Sequence, residues 1–313
     1  MKQLCIGLER QRRLRLVNKM KVVYGHTDSI YVKIDSIEKA KKAVVEINDH
    51  VKKSFPNLLN LPEHPVVLEF EKYFSSLGVG STKNRNAGLI SWKDGYELSE
   101  HEFVMTGFTA KRISETPLAK DVQMSVLRKW LNGDSRKQIN SWLHLIYNSI
   151  INSDFSLSDI IKRSRLKENR FNLKCPSCGK KYGVEDCYSI EYCSKCGKTK
   201  DKFVTIDGKR PIFGEGIAGI LYGREKLGME YDDSYLFVKV KSTDTYTHPL
   251  TDEQRQVEYY SATTYDDFKN VKPDLEHYAK VVMKKAEPVY KAMGWELDSI
   301  RTGSTQSTFE DWW

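Results

Sequence analysis

Two Cys-x2-Cys pairs, Cys175 with Cys178 and Cys193 with Cys196, stand 14 residues apart in a chain of 313. Each pair forms a tight knuckle, followed at once by Gly179 or Gly197. Two thiol pairs at this spacing suit tetrahedral Zn²⁺ in a zinc ribbon. Four thiolates leave no open coordination position, so the metal is expected to be structural and its removal to unfold the insert. The competing reading, two disulfides or four idle thiols, conflicts with a compartment that keeps thiols reduced. Cys5 and Cys187, the other two of six cysteines, read as ordinary thiols.

The chain around this insert carries Lys+Arg 50 against Asp+Glu 42, a net charge of +8, with 40% hydrophobic and 29% charged positions. This excludes intrinsic disorder and a disulfide-stapled miniprotein, and the length admits one large core or two modest ones. No apolar run approaches the roughly 18 residues of a membrane span, and the N-terminus turns basic before a signal-peptide core develops. A cytoplasmic protein in a reducing compartment, with no membrane partner, is expected. Basic runs at 10–15, 162–170 and 195–202 make phosphate backbones natural partners, although each run alone also reads as a solvated face.

Local patterns predict an α+β architecture. KVVYGHTDSIYVKI, 21–34, has two β-rich runs around a polar tip at Gly25, His26, Thr27 and Asp28, and so reads as a hairpin. Ile37, Ala40, Val44, Ile47, Val51 and Phe55 then recur at helical spacing, with Asp35 and Glu38 as a capping box and Pro56 as the stop. Strand patterns return over 65–112, with a turn at Asp94-Gly95. From Leu118 onward helices are expected to dominate. One carries Val122, Val126 and Trp130, the next Ile139, Trp142, Leu143, Ile146 and Ile150, and a third, capped by Ser156 or Ser158, runs into the basic segment. Beyond the ribbon come one strand, SYLFVKV, and a last helix from about Pro273 to Met293, kinked at Pro288 and ended by Gly294. Residues 301–313 read as a tail.

KVVYGHTDSIYVKI resembles motif C of family B DNA polymerases, whose usual form is Tyr-Gly-Asp-Thr-Asp-Ser between two palm strands. LEFEKYF at 68–74, STKNRNAGLISWKDG at 81–95 and MTGFTAKRISETPLAKDVQMSVL at 105–127 are similar to further palm segments, in the family's order. The resemblance implies a partial palm at 1–130, an antiparallel sheet with helices. A mostly helical thumb at 131–300 follows, interrupted by the zinc ribbon at 171–205.

The activity so implied is DNA-directed nucleotidyl transfer from deoxynucleoside triphosphates on primer-template DNA, through two Mg²⁺. Asp28 matches the bridging carboxylate, and His26 stands where the family has its first Asp. Imidazole is a poor Mg²⁺ ligand, so this departure either weakens the site or marks the position as auxiliary. Glu69 and Glu71 are further carboxylates for the metals or a solvated strand face. Lys83 and Arg85, with Lys111 and Arg112, are the implied contacts to duplex phosphates. Motifs A and B and an exonuclease domain are not found in the sequence. The resemblance is therefore to the C-terminal, small subunit of a split archaeal polymerase, with a separate chain supplying the other carboxylate. The tail, Gln306, Phe309, Trp312 and Trp313 in QSTFEDWW, fits a sliding-clamp-binding pattern in which one 3₁₀ turn gathers the aromatics into a plug. The alternative is a non-catalytic DNA- and clamp-binding accessory protein derived from a palm and thumb.

Overall fold

A computed structural model describes residues 21–25, 29–55, 57–80, 84–112, 114–167, 170–297 and 300, and the backbone of 3–7. In chain order the first strands are β1 (Gln3–Gly7), β2 (Lys21–Gly25) and β3 (Ser29–Lys33), followed by helix α1 (Ile37–Ser54). Three long strands follow, β4 (Phe70–Val79), β5 (Asn86–Lys93) and β6 (Tyr96–Thr106), then helices α2 (Pro117–Leu131) and α3 (Arg136–Ile151). After α3 come β7 (Lys162–Arg165) and the ribbon strands β8 (Asn172–Lys174), β9 (Lys181–Gly183) and β10 (Val204–Thr205). The chain continues through α4 (Glu215–Leu227), β11 (Ser234–Lys239), β12 (Thr245–Thr247), β13 (Gln254–Gln256), β14 (Tyr259–Ala262), α5 (Leu275–Met283) and α6 (Glu287–Met293). Every strand pairing described is antiparallel, so the α+β class expected from the sequence holds.

Two compact units divide the chain: Met1–Lys111 with Gln123–His144 and Ala286–Trp313, and Arg112–Val122 with Leu145–Lys285. The first is built on a six-stranded sheet of order β2-β3-β1-β4-β5-β6. Alternation along β3 sends Ile30 and Val32 to one face, where they meet Ala40, Val44, Ile47 and Val51 of α1 with Leu68, Tyr73 and Trp92. Burying each such Val or Ile contributes about 1.5–3 kcal/mol. Tyr31 points the other way, toward Phe74, Leu77 and Ile90. Asp94 and Gly95 both have positive φ, 50° and 99°, which gives the tight β5–β6 connection the twist its strands need.

The second unit contains α4, the three-stranded sheet β14-β11-β7, the ribbon sheet β10-β8-β9 and the β12–β13 hairpin.

Several local expectations are corrected. The cap of α1 is Ser36, whose side chain accepts the Lys39 N–H at 3.2 Å, because Asp35 lies one residue too early. The segment after Ser156 forms only a 3₁₀ turn, and its basic continuation is β7, an edge strand with Arg163 and Arg165 exposed and paired to β11. Charges on an edge strand block further strand addition, which explains the composition. The last helix is broken into α5 and α6 by a 3₁₀ turn at Lys284–Ala286, with Pro288 in the first turn of α6, where its missing N–H costs nothing. Gly294 ends α6 with φ 68°, as expected. No helix among the described residues is long and apolar enough to cross a membrane.

Candidate catalytic hairpin and metal centre

β2 and β3 pair as the sequence predicts, with Gly25 opposite Ile30 and Tyr24 opposite Tyr31. Their connection is residues 26–28, so His26 and Asp28 lie outside the described residues, as do Lys83 and the tail residues Gln306, Phe309, Trp312 and Trp313. What the structure does describe is the hairpin's support. Tyr24 meets Tyr31 edge-on with ring centroids 5.3 Å apart, and Tyr31 packs on Phe74 at 5.9 Å. The Tyr24 hydroxyl donates to Asn84 Oδ1 at 3.2 Å, tying the hairpin to the loop before β5. Asn84 was not singled out by motif, since no spacing rule relates positions 24 and 84.

Arg85 is half-buried rather than free on a surface. It lines a cavity of about 150 Å³ with Phe108, Leu127, Trp130, Glu287 and Lys291. Lys111 is exposed at the end of the 3₁₀ turn Thr109–Lys111, and that turn is held from below: the Oε1 of buried Gln123 accepts the Ala110 N–H at 2.7 Å and the Thr109 hydroxyl at 3.1 Å. Arg112 is exposed in the other unit. Glu69 is exposed and Glu71 half-buried.

Sγ atoms of Cys175, Cys178, Cys193 and Cys196 all lie within 4.8 Å of one another, with Cys175–Cys196 and Cys178–Cys193 at 3.4 Å. A tetrahedral ion with bonds of about 2.3 Å to sulfur needs edges of roughly 3.8 Å, so the four thiols fit one metal. Each knuckle closes in the same way. The Gly179 N–H donates to Cys175 O at 3.0 Å and the Gly197 N–H to Cys193 O at 2.8 Å, both glycines taking φ near 70°. Burial opposes ionisation of Cys193, but hydrogen bonds from the Tyr182 hydroxyl, the backbone N–H groups of Lys195 and Cys196, and Cys178 bring it down to about 6. Cys196 goes the other way. Against a Lys198 N–H that favours its thiolate, hydrogen bonding to Cys175 and burial push it up to about 12. Thiols this close cannot all ionise unless a divalent cation takes up the charge, so the donor set suits Zn²⁺. Cys187 is buried, which raises its thiol pKa to about 12, and it is not one of the four clustered cysteines.

The ribbon is anchored to the rest of its unit. Its small core is Leu173, Val184 and Phe203, with Tyr182 stacked on Phe203 at 4.9 Å. Buried Lys200 reaches from it to Asp252 at 2.7 Å while donating to Cys187 O at 2.8 Å. The Tyr188 hydroxyl donates to Thr247 O at 3.2 Å, and Arg224 of α4 pairs with Glu185 and covers the Phe171 ring, its guanidinium carbon 4.3 Å from the ring centre.

The fold defines a class, an antiparallel α+β protein with a paired β2–β3 hairpin and a four-cysteine cluster placed to hold a metal. The sequence model for DNA polymerase family B matches residues 2–190, and the chain belongs to that family. Among solved structures it is similar to the family B DNA polymerase from the hyperthermophilic archaeon Pyrobaculum calidifontis, with 18% identity and a TM-score of 0.47. That match covers 89% of this chain and 28% of the archaeal one, so the chain spans under a third of the length of that polymerase. No curated protein matches.

Proposed function

We propose that this chain is the C-terminal, palm-and-thumb part of a split family B DNA polymerase, catalysing templated nucleotidyl transfer together with a second polypeptide. The observation that carries the reading is YGHTDS between two paired antiparallel strands inside the family match. Asp28 holds the metals, and a chain carrying motifs A and B and the exonuclease domain contributes the other carboxylate. Mg²⁺, when bound, supplies Lewis-acid activation of the primer 3′-hydroxyl and stabilises charge on the leaving pyrophosphate. Lys83, Arg85, Lys111 and Arg112 neutralise duplex phosphates, which makes affinity independent of sequence and sensitive to salt. Residues 1–130 act as palm and 131–300 as thumb, with the ribbon at 171–205 as a structural zinc insert. The tail residues Gln306, Phe309, Trp312 and Trp313 tether the enzyme to a sliding clamp.

The test is Mg²⁺-dependent primer extension by the complex that co-purifies with the tagged chain, beside Asp28→Ala. Extension that disappears with Asp28, with a motif A polypeptide in the complex, is the expected result; Asp28-independent synthesis overturns the reading. Deleting 306–313 is expected to leave extension on short templates unchanged and to remove stimulation by the clamp.

His26 favours a second reading. With an imidazole where the family has a carboxylate, the chain acts as a non-catalytic DNA- and clamp-binding accessory protein. Clamp and DNA in the pull-down without Asp28-dependent synthesis would select it.

A further inference from the structure

The two knuckles share the sequence Cys-x-x-Cys-Gly-Lys, at 175–180 and 193–198. They also share a fold: the Cys175 N–H donates to Lys180 O at 2.9 Å and the Cys193 N–H to Lys198 O at 2.7 Å. Lys180 and Lys198 therefore occupy equivalent positions around the thiols, and Lys181 and Lys195 stand beside them. All four are exposed, and 175–181 and 193–198 contain no carboxylate. Four ammonium groups more than offset the charge that four thiolates leave on a divalent ion.

Three of the ribbon's four carboxylates are engaged, while the fourth, Glu191 beside Tyr192, is exposed and in no ion pair among the described residues. Glu185 pairs with Arg224, Asp186 accepts the Gly183 N–H at 2.7 Å, and Asp201 pairs with Lys202 at 2.8 Å. Lys180 is partly engaged as well, on Ser194 and over the Tyr182 ring. Lys181, Lys195 and Lys198 make no ion pair among the described residues. Tyr192, immediately before Cys193, is 54% exposed although it is a large ring on an ordered β-bridge to Thr199. Free ammonium groups flanking an uncovered aromatic ring, on a tip fixed by Lys200 and Tyr188, form a surface matched to a strand of phosphates with accessible bases.

We propose that the metal end of the ribbon binds single-stranded DNA, with Lys181, Lys195 and Lys198 on phosphates and Tyr192 stacking on a base. The choice of DNA as the nucleic acid rests on the polymerase reading. The competing role for these lysines is neutralising the thiolates.

The experiment uses the full chain and a fluorescein-labelled oligothymidine, with anisotropy titrations across a salt series and zinc content measured on the same samples. In Lys181→Gln/Lys195→Gln/Lys198→Gln the slope of log affinity against log salt is expected to shrink by about 2, since each phosphate contact on a single strand contributes about 0.7. Tyr192→Ala is expected to weaken binding roughly 5- to 150-fold with the slope unchanged, because stacking carries no counterions. Zinc content should equal the parent's in both. An unchanged slope in the triple variant overturns the proposal, as does loss of zinc in step with loss of DNA affinity. Primer extension by the co-purified complex reads the polymerase proposal and the salt slope of the full chain reads the ribbon surface, so the two fail separately.

Discussion

His248 shows how one buried side chain sets a pH dependence. It is 7% exposed, lies edge-on to Phe213 with centroids 5.2 Å apart, and its Nδ1 accepts the Leu250 N–H at 3.4 Å while facing Thr251 Oγ1 at 3.1 Å. Burial, and then the nearby Arg255 guanidinium, hold its pKa down to about 4, against the opposing pull of Glu253 and Asp252. The folded value lies below the unfolded one, so the unfolded chain takes up the proton first. The contribution is complete above about pH 6.5 and is lost as the pH falls toward about 4. Urea denaturation followed by far-ultraviolet circular dichroism should show falling stability across that window, and His248→Gln should flatten it. Equal pH slopes for parent and variant would exclude His248 as the source. Nothing in the sequence marks this histidine, because its burial depends on Phe213 and on the β12–β13 hairpin. The metal cysteines were legible for the opposite reason: ligand spacing within a knuckle is itself local geometry, and Cys-x2-Cys encodes it directly.

Elements were legible where one residue pattern served both local conformation and packing. Helix α1 satisfies both, since its apolar period is also its contact with β3 and β4. Helix α4 was not foreseen, because Gly216, Gly219 and Gly223 lower helix propensity by about 1 kcal/mol each relative to Ala. The structure explains their presence. They form the stripe on which α4 lies against its sheet, and an added Cβ would stand 2.4 Å from the Tyr235 ring at Gly216 and 2.7 Å from Tyr259 O at Gly219. A backbone carbonyl cannot swing aside as a side chain can. Gly219→Ala is therefore expected to destabilise the protein by about 1–3 kcal/mol despite the gain in helix propensity. Adding Ser261→Gly removes the 2.4 Å clash with Ser261 Oγ but not the carbonyl one, so it should restore only part of the loss. Chemical denaturation of the single and double variants decides it, and a Gly219→Ala protein more stable than the parent would refute this account of the helix. Similarly β7 escaped the helical reading only through tertiary pairing with β11, since Lys-Arg-Ser-Arg has no apolar period of either kind.

At the scale of the whole molecule, the family and the α+β class were legible from the order of several short segments, each weak alone. The way the ribbon is tied into its unit was not, because Lys200 reads as one more member of a basic run yet is buried on Asp252 and Cys187 O. That tie determines how far metal loss spreads. The ribbon's few buried side chains cannot hold it folded without a cross-link, whereas structural Zn²⁺ in small domains supplies on the order of 10 kcal/mol. Chelation should therefore unfold 171–205 and also loosen the β12–β13 hairpin, which loses its bonds from Lys200 and Tyr188. Neither 171–205 nor 245–256 contains a tryptophan, so intrinsic tryptophan fluorescence does not report on them directly. Amide hydrogen exchange is the suitable measurement. Chelated protein should lose protection throughout the ribbon and partly over 245–256, while β4 and β5 exchange as before. Lys200→Met separates the two steps: it should retain zinc and ribbon protection but speed exchange over 245–256, because Asp252 and the Cys187 carbonyl lose a charge-assisted partner worth about 1.5–3 kcal/mol. Unchanged exchange over 245–256 in both samples would mean that the ribbon melts as an independent insert, and that Lys200 holds only the ribbon itself.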